Sequence, residues 1–293
     1  MRRCRLPLAA LFAAPSPPGE GFFIAAEAGK DEIIMKKQAL LLAHFGTSHA
    51  DTREKTIGAV ERDAREAFPD WEVRGAFTSG MILRALKKQG LSLQSVPEAL
   101  EDLQNAGFER VVIQPTHMIC GEEYDKLRAQ AEPFRSSFAE FSVGRPLLSS
   151  TGDMQEICRF FDREFPREEG EALALMGHGT EHFANAVYPA LGYMFREMGF
   201  DRILVGAVEG YPGIDIVRKE LRRMGVSRVT VTPLMLVAGD HAVNDMAGEE
   251  SDSWKSLLES DGFAVKTVVR GLGEYPAVRE MYLAHIRRAM ERE

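Results

Sequence analysis

Cysteine is scarce. The three cysteines in 293 residues, Cys4, Cys120 and Cys158, lie far apart with no Cys-x-x-Cys pair, which excludes a disulfide framework and gives no sign of a thiolate zinc site. Long apolar runs are lacking too: the longest in the body, QALLLAHFG, is strand-length, well short of the roughly eighteen residues that span a bilayer, so no integral membrane protein is expected. Basic charge is in deficit, with 36 Lys and Arg against 44 Asp and Glu and a net charge of -8. Nucleic-acid binding through a broad basic field is therefore excluded, and an anionic ligand has to be met by local bases. Also absent are a Gly-x-x-x-x-Gly-Lys phosphate loop, a Gly-x-Gly-x-x-Gly turn after a strand and a Gly-x-Ser-x-Gly nucleophile elbow, which argues against a nucleotide requirement and against a serine hydrolase.

What is present suits a globular α/β protein: 45% hydrophobic and 27% charged residues, with 26 Gly and 14 Pro scattered along a chain long enough for two domains. Residues 1–34 read differently from the rest. Arg2, Arg3 and Arg5 precede a short apolar stretch, and Ala26-Glu27-Ala28 before Gly29 resembles a signal cleavage site, while Pro15, Pro17 and Pro18 interrupt the apolar region. Two expectations follow: an N-terminal extension before a start at Met35 and a cytoplasmic protein, or a signal peptide over residues 1–28 and a periplasmic one.

From Lys36 onward, short β-branched or Leu-rich runs alternate with amphipathic segments, the pattern of βαβ units and a parallel sheet. The predicted strands are 39–43, 72–76, 110–114, 141–147, 172–176, 202–207, 228–232 and 265–269, two sets of four. The first strand ends also match, LLLAHFGTSHA against LALMGHGTEHFA, pairing His44 with His178. The expected architecture is α/β: two similar Rossmann-like lobes with parallel four-stranded sheets, residues 35–167 and 168–293, facing a central cleft. Helices are predicted over TREKTIGAVERDAREAF with Ile57, Val60 and Ala64 inward, over SVPEALEDLQNAGF with Ser95 as cap, and over HFANAVYPALGYMFREMGF with an interruption at Pro189. Tyr188, Met194 and Phe195 read as core.

Strand ends carry the chemistry-bearing candidates. His178 sits between Gly177 and Gly179, which leave space for close approach of a ligand; Glu209 precedes Gly210, Pro212 and Gly213; His241 opens a polar turn with Asn244 and Asp245. Two imidazoles and a carboxylate converging from three strand ends would form a borderline ligand set for Co, Ni, Zn or Fe(II), although rim histidines also serve as caps or satisfied polar packing. In the first lobe, Glu122 and Glu123 follow a strand, one a candidate acid or base, with helix capping the alternative that suits Glu122. Thr78 and Ser79 read as caps or ligand donors. His49, His182 and His285 carry no supporting pattern.

The segments FGTS, RGAFTSGMI, GEEYDKL, MGHG, VEGYP, PLMLVAGDHAVNDMAGEESDSWK and GLGEYPAVREMYLAH, spread from Phe45 to His285, resemble the anaerobic-pathway sirohydrochlorin cobaltochelatases, class II chelatases related to ferrochelatase. The resemblance implies a bilobal fold and insertion of Co(II), as substrate metal, into sirohydrochlorin for cobalamin biosynthesis, with no nucleotide. It implies metal ligation by His178, Glu209 and His241, with His178 also the proton acceptor and Glu123 a first-lobe catalytic residue. Bases near the cleft, with Arg53, Arg74, Arg84 and Lys126 as candidates, would meet the substrate's carboxylates. His44 is a further cleft candidate. Rival readings are an Fe(II) chelatase for sirohaem or haem and a non-catalytic metal or tetrapyrrole carrier. Some exported relatives are associated with haem binding and higher oligomers, which puts haem and a homo-oligomer among the alternatives; the sequence identifies no axial ligand, and His117 or Cys120 would be arbitrary choices.

Overall fold

In the computed structural model, which describes residues 36–291, eight strands form: β1 (Gln38–His44), β2 (Glu72–Phe77), β3 (Arg110–Pro115), β4 (Glu140–Val143), β5 (Glu171–Gly177), β6 (Ile203–Ala207), β7 (Arg228–Pro233) and β8 (Ala264–Thr267). They make two parallel four-stranded sheets of identical order, β2-β1-β3-β4 and β6-β5-β7-β8. The repeat read from the sequence is thus a repeat of topology. The expectations for residues 1–34 and for a start at Met35 lie outside the described residues.

Both faces of each sheet are covered, which is why its strands read as continuous apolar runs. In β1, Leu40 and Leu42 enter one core, and Ala39, Leu41 and Ala43 enter another. The helices are α1 (Ala50–Arg53), α2 (Ala59–Ala67), α3 (Gly80–Lys88), α4 (Val96–Asn105), α5 (Glu122–Ala131), α6 (Thr151–Glu164), α7 (Val187–Glu197), α8 (Ile214–Met224), α9 (Trp254–Ser260) and α10 (Pro276–Met290), with a π-helical turn, Glu54–Gly58, joining α1 to α2. Helices α4 and α5 cover one face of the first sheet, and α8 and α9 one face of the second. A shared core joins the remaining faces: Leu40 and Leu42 of the first sheet and Leu173 and Leu175 of the second meet Phe160, Phe161, Phe195 and Tyr282 from α6, α7 and α10. Helix α10 returns to pack on β3 and α2.

Two local expectations are corrected. Strand β4 stops at Val143 rather than Leu147, because a Cβ at Gly144 would meet the Gln114 side chain at 2.2 Å, and the chain turns so that Leu147 and Leu148 drop into the shared core. Their N–H groups donate to the carbonyls of His117 and Met118 at 3.0 and 2.8 Å. Pro189 does not interrupt a helix. It lies in the first turn of α7, where its missing N–H has no intrahelical acceptor to lose.

In each sheet the chain runs from the first strand to a neighbour on one side, then crosses to the other. The gaps at the carboxyl ends of β1 and β3, and of β5 and β7, are therefore topological switch points, where open α/β sheets bind ligands.

Candidate active site

His178 follows β5 directly and His241 lies beyond β7, so the two flank the switch point of the second sheet. The glycines around His178 serve packing rather than ligand access. A Cβ at Gly177 would lie 2.3 Å from the Tyr188 ring, and one at Gly179, whose φ is +85°, would lie 2.5 Å from the Glu209 carbonyl. Two turns are thereby pressed together: Glu209 N–H donates to the His178 carbonyl at 2.8 Å. Asn185 stitches the same turns, accepting from Thr180 N–H at 3.2 Å and donating to the Tyr211 carbonyl at 2.6 Å. As a result, the His178 ring lies 3.8 Å from Glu209 Oε2. The ring of His241, at the start of the π-helical turn His241–Met246, stands 4.6 Å away and nearly perpendicular.

Both imidazoles are held in one tautomer. His178 Nδ1 lies 3.0 Å from the Gly179 carbonyl and His241 Nδ1 lies 2.6 Å from Asp245 Oδ2. A carbonyl and a carboxylate only accept, so each Nδ1 carries its proton and each Nε2 presents a lone pair. The sequence places Asp245 in the polar turn but assigns it no partner, which the 2.6 Å contact with His241 supplies. Its position four residues after His241 becomes a contact only because the segment folds into a helical turn, the arrangement in which a carboxylate orients a histidine. The side chains stay open to solvent, Glu209 at 59% and His178 at 44%. Among the described residues no group of three or more His, Cys, Asp or Glu side chains stands so as to hold a metal ion, so His178, Glu209 and His241 are neighbours at the switch point rather than an assembled metal site.

The first lobe presents Glu123 from the opening turn of α5. Its Oε2 accepts from the Thr78 hydroxyl at 3.2 Å and its Oε1 from Lys126 at 2.8 Å. Glu122 is exposed and pairs with Lys126 at 3.2 Å, in keeping with a first-turn acid. Ser79 caps α3, whereas Thr78 does not cap and instead joins Glu123 to His117 Nε2, 3.3 Å away. Burial pushes the His117 imidazole down to about 4, and it also raises the Cys120 thiol. His44 is a correction. It is fully buried as the last residue of β1, with Nδ1 2.9 Å from Thr116 Oγ1 and Nε2 3.5 Å from Glu61, and offers no ligand atom to the cleft. Arg74 is another: its guanidinium pairs with Glu72 at 3.2 Å over the Phe108 ring, towards the amino-terminal end of the sheet. Arg53, which donates to the Thr47 carbonyl at 3.5 Å, and Lys126 remain at the rim.

The repeat has a geometric core that shifts its register. Gly46 and Gly179 share a positive φ of 102° and 85°. Thr47 Oγ1 accepts from His49 N–H at 3.2 Å, just as Thr180 Oγ1 accepts from His182 N–H at 3.1 Å. Phe45, not His44, is therefore the counterpart of His178. The matched histidines each reach into the other lobe: His49 Nε2 lies 2.8 Å from Asp240 Oδ1, and His182 Nε2 lies 3.4 Å from Asp125 Oδ2. The sequence reading of both as surface or capping groups holds for His182, whose Nδ1 caps the next turn by accepting from Ala184 N–H at 3.1 Å, but it leaves out the bridges, for which the repeated Thr-x-His is the signal. Around these bridges, Phe45, Met81, Phe183, Tyr211 and Val243, all just beyond strand carboxyl ends, are exposed apolar side chains.

Comparison with known proteins adds an independent line. Residues 38–291 match the family model described as cobalt chelatase (CbiK). The chain is 42% identical over 256 residues to a sirohydrochlorin cobaltochelatase of Salmonella typhimurium, covering 87% of this chain and 97% of the relative. It is 36% identical over 265 residues to the sirohydrochlorin cobaltochelatase CbiKC of Nitratidesulfovibrio vulgaris, covering 89% and 93%. Among solved structures, SirB from Bacillus subtilis with Fe3+ superposes with a TM-score of 0.62 at 14% identity, covering 87% of this chain and 96% of that one. CbiX, the terminal enzyme for biosynthesis of siroheme in denitrifying bacteria, gives 0.50 at 17% identity, covering 86% and 99%. At such identities the structural likeness speaks for the fold alone. A family model that spans nearly all the described residues, and two curated relatives matched over almost their whole length, lead to one conclusion: the chain belongs to the CbiK cobalt chelatase family.

Proposed function

We propose that this chain is a sirohydrochlorin cobaltochelatase, a lyase-type chelatase that inserts Co(II) into sirohydrochlorin and releases two protons, in anaerobic cobalamin biosynthesis. The observation that carries the reading is the pair of imidazoles at the second switch point, their rings 4.6 Å apart and each Nδ1 held by an acceptor, with Glu209 Oε2 3.8 Å from Nδ1 of His178. In this reading residues 168–293 capture the metal through His178, Glu209 and His241, and residues 35–167 supply Glu123 from across the cleft.

The chemistry requires a metal to be held, then surrendered, while two pyrrole N–H protons depart. Borderline nitrogen donors suit a borderline divalent ion, and a half-exposed carboxylate supplies charge without closing the shell. As Co(II) passes to the ring nitrogens, the His178 lone pair is released and accepts a proton, with Nδ1–H still held by the Gly179 carbonyl. Glu123 accepts the second proton. His241 keeps its aim through Asp245. Phe45, Met81, Phe183 and Tyr211 offer apolar surface to a flat macrocycle, and Arg53, Arg84 and Lys126 offer charge to its carboxylates.

The test is spectrophotometric: metallation of sirohydrochlorin by the full chain with Co(II) and, separately, Fe(II). Turnover with cobalt is expected, lost in His178→Ala and in His241→Ala; near-normal rates in either variant would sink the site. The ligand set does not by itself select cobalt over iron, so the ratio of the two rates decides the physiological metal. We place the reaction in the cytoplasm. A native N-terminus at Gly29 would move it outside.

A further inference from the structure

The first lobe buries an imidazole nitrogen without a partner. His117 Nδ1 is shielded from solvent and has no hydrogen bond, while Nε2 of the same ring lies 3.3 Å from Thr78 Oγ1. Thr78 Oγ1 lies in turn 3.2 Å from Glu123 Oε2, and Lys126 holds the other carboxylate oxygen at 2.8 Å. A hydroxyl has one proton. Given to a carboxylate, which only accepts, it leaves the threonine oxygen as an acceptor, so His117 must donate from Nε2. That tautomer puts the lone pair on Nδ1, the atom found without a partner. Burial keeps the ring neutral by pushing its pKa down to about 4, with the Glu123 charge opposing and His44 adding to the effect. An orphaned buried acceptor carries a desolvation penalty, and its retention calls for a reason.

We propose that His117 and Thr78 are positioning residues for metal insertion: His117, locked as an Nε2–H donor, turns the Thr78 hydroxyl so that its proton points at Glu123 and holds that carboxylate ready to accept a pyrrole proton. The inference rests on the reading of Glu123 as proton acceptor. The step balances without a redox partner: the pyrrole N–H breaks, its electron pair stays on nitrogen to bind the metal, and the proton forms an O–H bond on Glu123. The charged and titratable groups around the chain are Lys126 and Glu122 on α5, Asp125 with His182 from the second lobe, and His44 with Glu61 behind His117.

The test uses the full chain with Co(II) and sirohydrochlorin. Thr78→Val keeps the shape and removes the hydroxyl; His117→Leu removes the donor. Each is expected to lower kcat about tenfold, as misaimed catalytic groups do, with KM nearly unchanged. The acidic limb of the kcat profile should move up, because a carboxylate that loses a hydrogen bond to its charged form is more easily protonated. Thr78→Ser and His117→Gln, which restore a hydroxyl and an N–H donor, should return both the rate and the limb. Wild-type kcat and limb in Thr78→Val and His117→Leu would overturn the proposal, as would a fall in rate that tracks a fall in melting temperature with the limb unmoved. Glu123→Gln separates the two readings. Full activity there overturns the proton-acceptor role and the positioning role with it; low activity there beside a normal Thr78→Val overturns positioning alone.

Discussion

The two lobes share strand order, the left-handed glycine after the first strand and the Thr-x-His turn, yet they differ in what stands at the switch point. In the second lobe the position after the first strand is His178, open to the cleft and locked in one tautomer. In the first lobe the matching position is Phe45, and the histidines nearby, His44 and His117, are shielded and bonded to threonines. The same scaffold thus leaves an imidazole half-exposed at one switch point and shields the imidazole nitrogens at the other. The difference teaches that a duplicated fold specifies where a site is, while burial and hydrogen-bond partners decide what each copy does there.

The largest expected effect that would break this comparison is on the exposed histidine. His178→Ala should lower the metallation rate by about a hundredfold or more, the usual weight of a proton-transfer group, while its counterpart Phe45→Ala should act mainly on the KM for sirohydrochlorin. A steady-state assay of both variants checks it, and equal effects on rate would dissolve the asymmetry.

Next is the orientation of His241. Asp245→Asn should weaken Co(II) binding by about 10- to 100-fold, as loss of a carboxylate behind a metal-binding histidine does; calorimetric titration with the metal measures it. The sequence pattern made His241 visible because it stands in a polar turn after a strand. Asp245 required the π-helical geometry that brings it 2.6 Å from Nδ1.

A third effect concerns stability rather than chemistry, and it belongs to the first lobe's junction with α10. Burial alone would raise the Asp153 carboxyl, but the His285 imidazole 3.2 Å away and hydrogen bonds from Ser150 and Arg288 outweigh it and hold the group well below the ordinary range. A depressed folded pKa means that the stabilisation is present above the unfolded carboxyl value near 4 and drains away as pH falls below it. Asp153→Asn should cost about 1–3 kcal/mol at neutral pH, the range for a buried charge-assisted hydrogen bond. The loss should shrink in acid, as urea titrations at pH 7 and pH 3 would show.

The smallest effect concerns the two bridges between lobes. His49→Ala and His182→Ala remove solvent-accessible contacts of 2.8 and 3.4 Å, and each should change stability by no more than about 1 kcal/mol. Thermal melts of the single and double variants check this. Equal small shifts would support equivalent bridges, and a large shift in one alone would break the symmetry.

Much of the fold was legible because strands buried on both faces leave uninterrupted Leu and Val runs, and because Ser95 marks a helix start locally, where the structure adds Glu98 to complete a capping box. The end of β4 was not, since it depends on Gln114 crowding Gly144 from a distant strand. His178, Glu209 and His241 stood out because each follows a strand in polar, glycine-rich sequence. His44 stood out for the same reason, but its burial against Thr116 and Glu61 comes from tertiary packing that a single strand end does not encode. The glycines beside His178 were read as room for a ligand, whereas they admit Tyr188 and the Glu209 turn.

The central claim is that the second lobe alone holds the incoming metal, and cobalt K-edge X-ray absorption on the full chain loaded with one Co(II) tests it most directly. Two imidazole ligands and a carboxylate are expected, with one imidazole lost in His178→Ala and one in His241→Ala. A coordination shell unchanged in both variants would contradict the account.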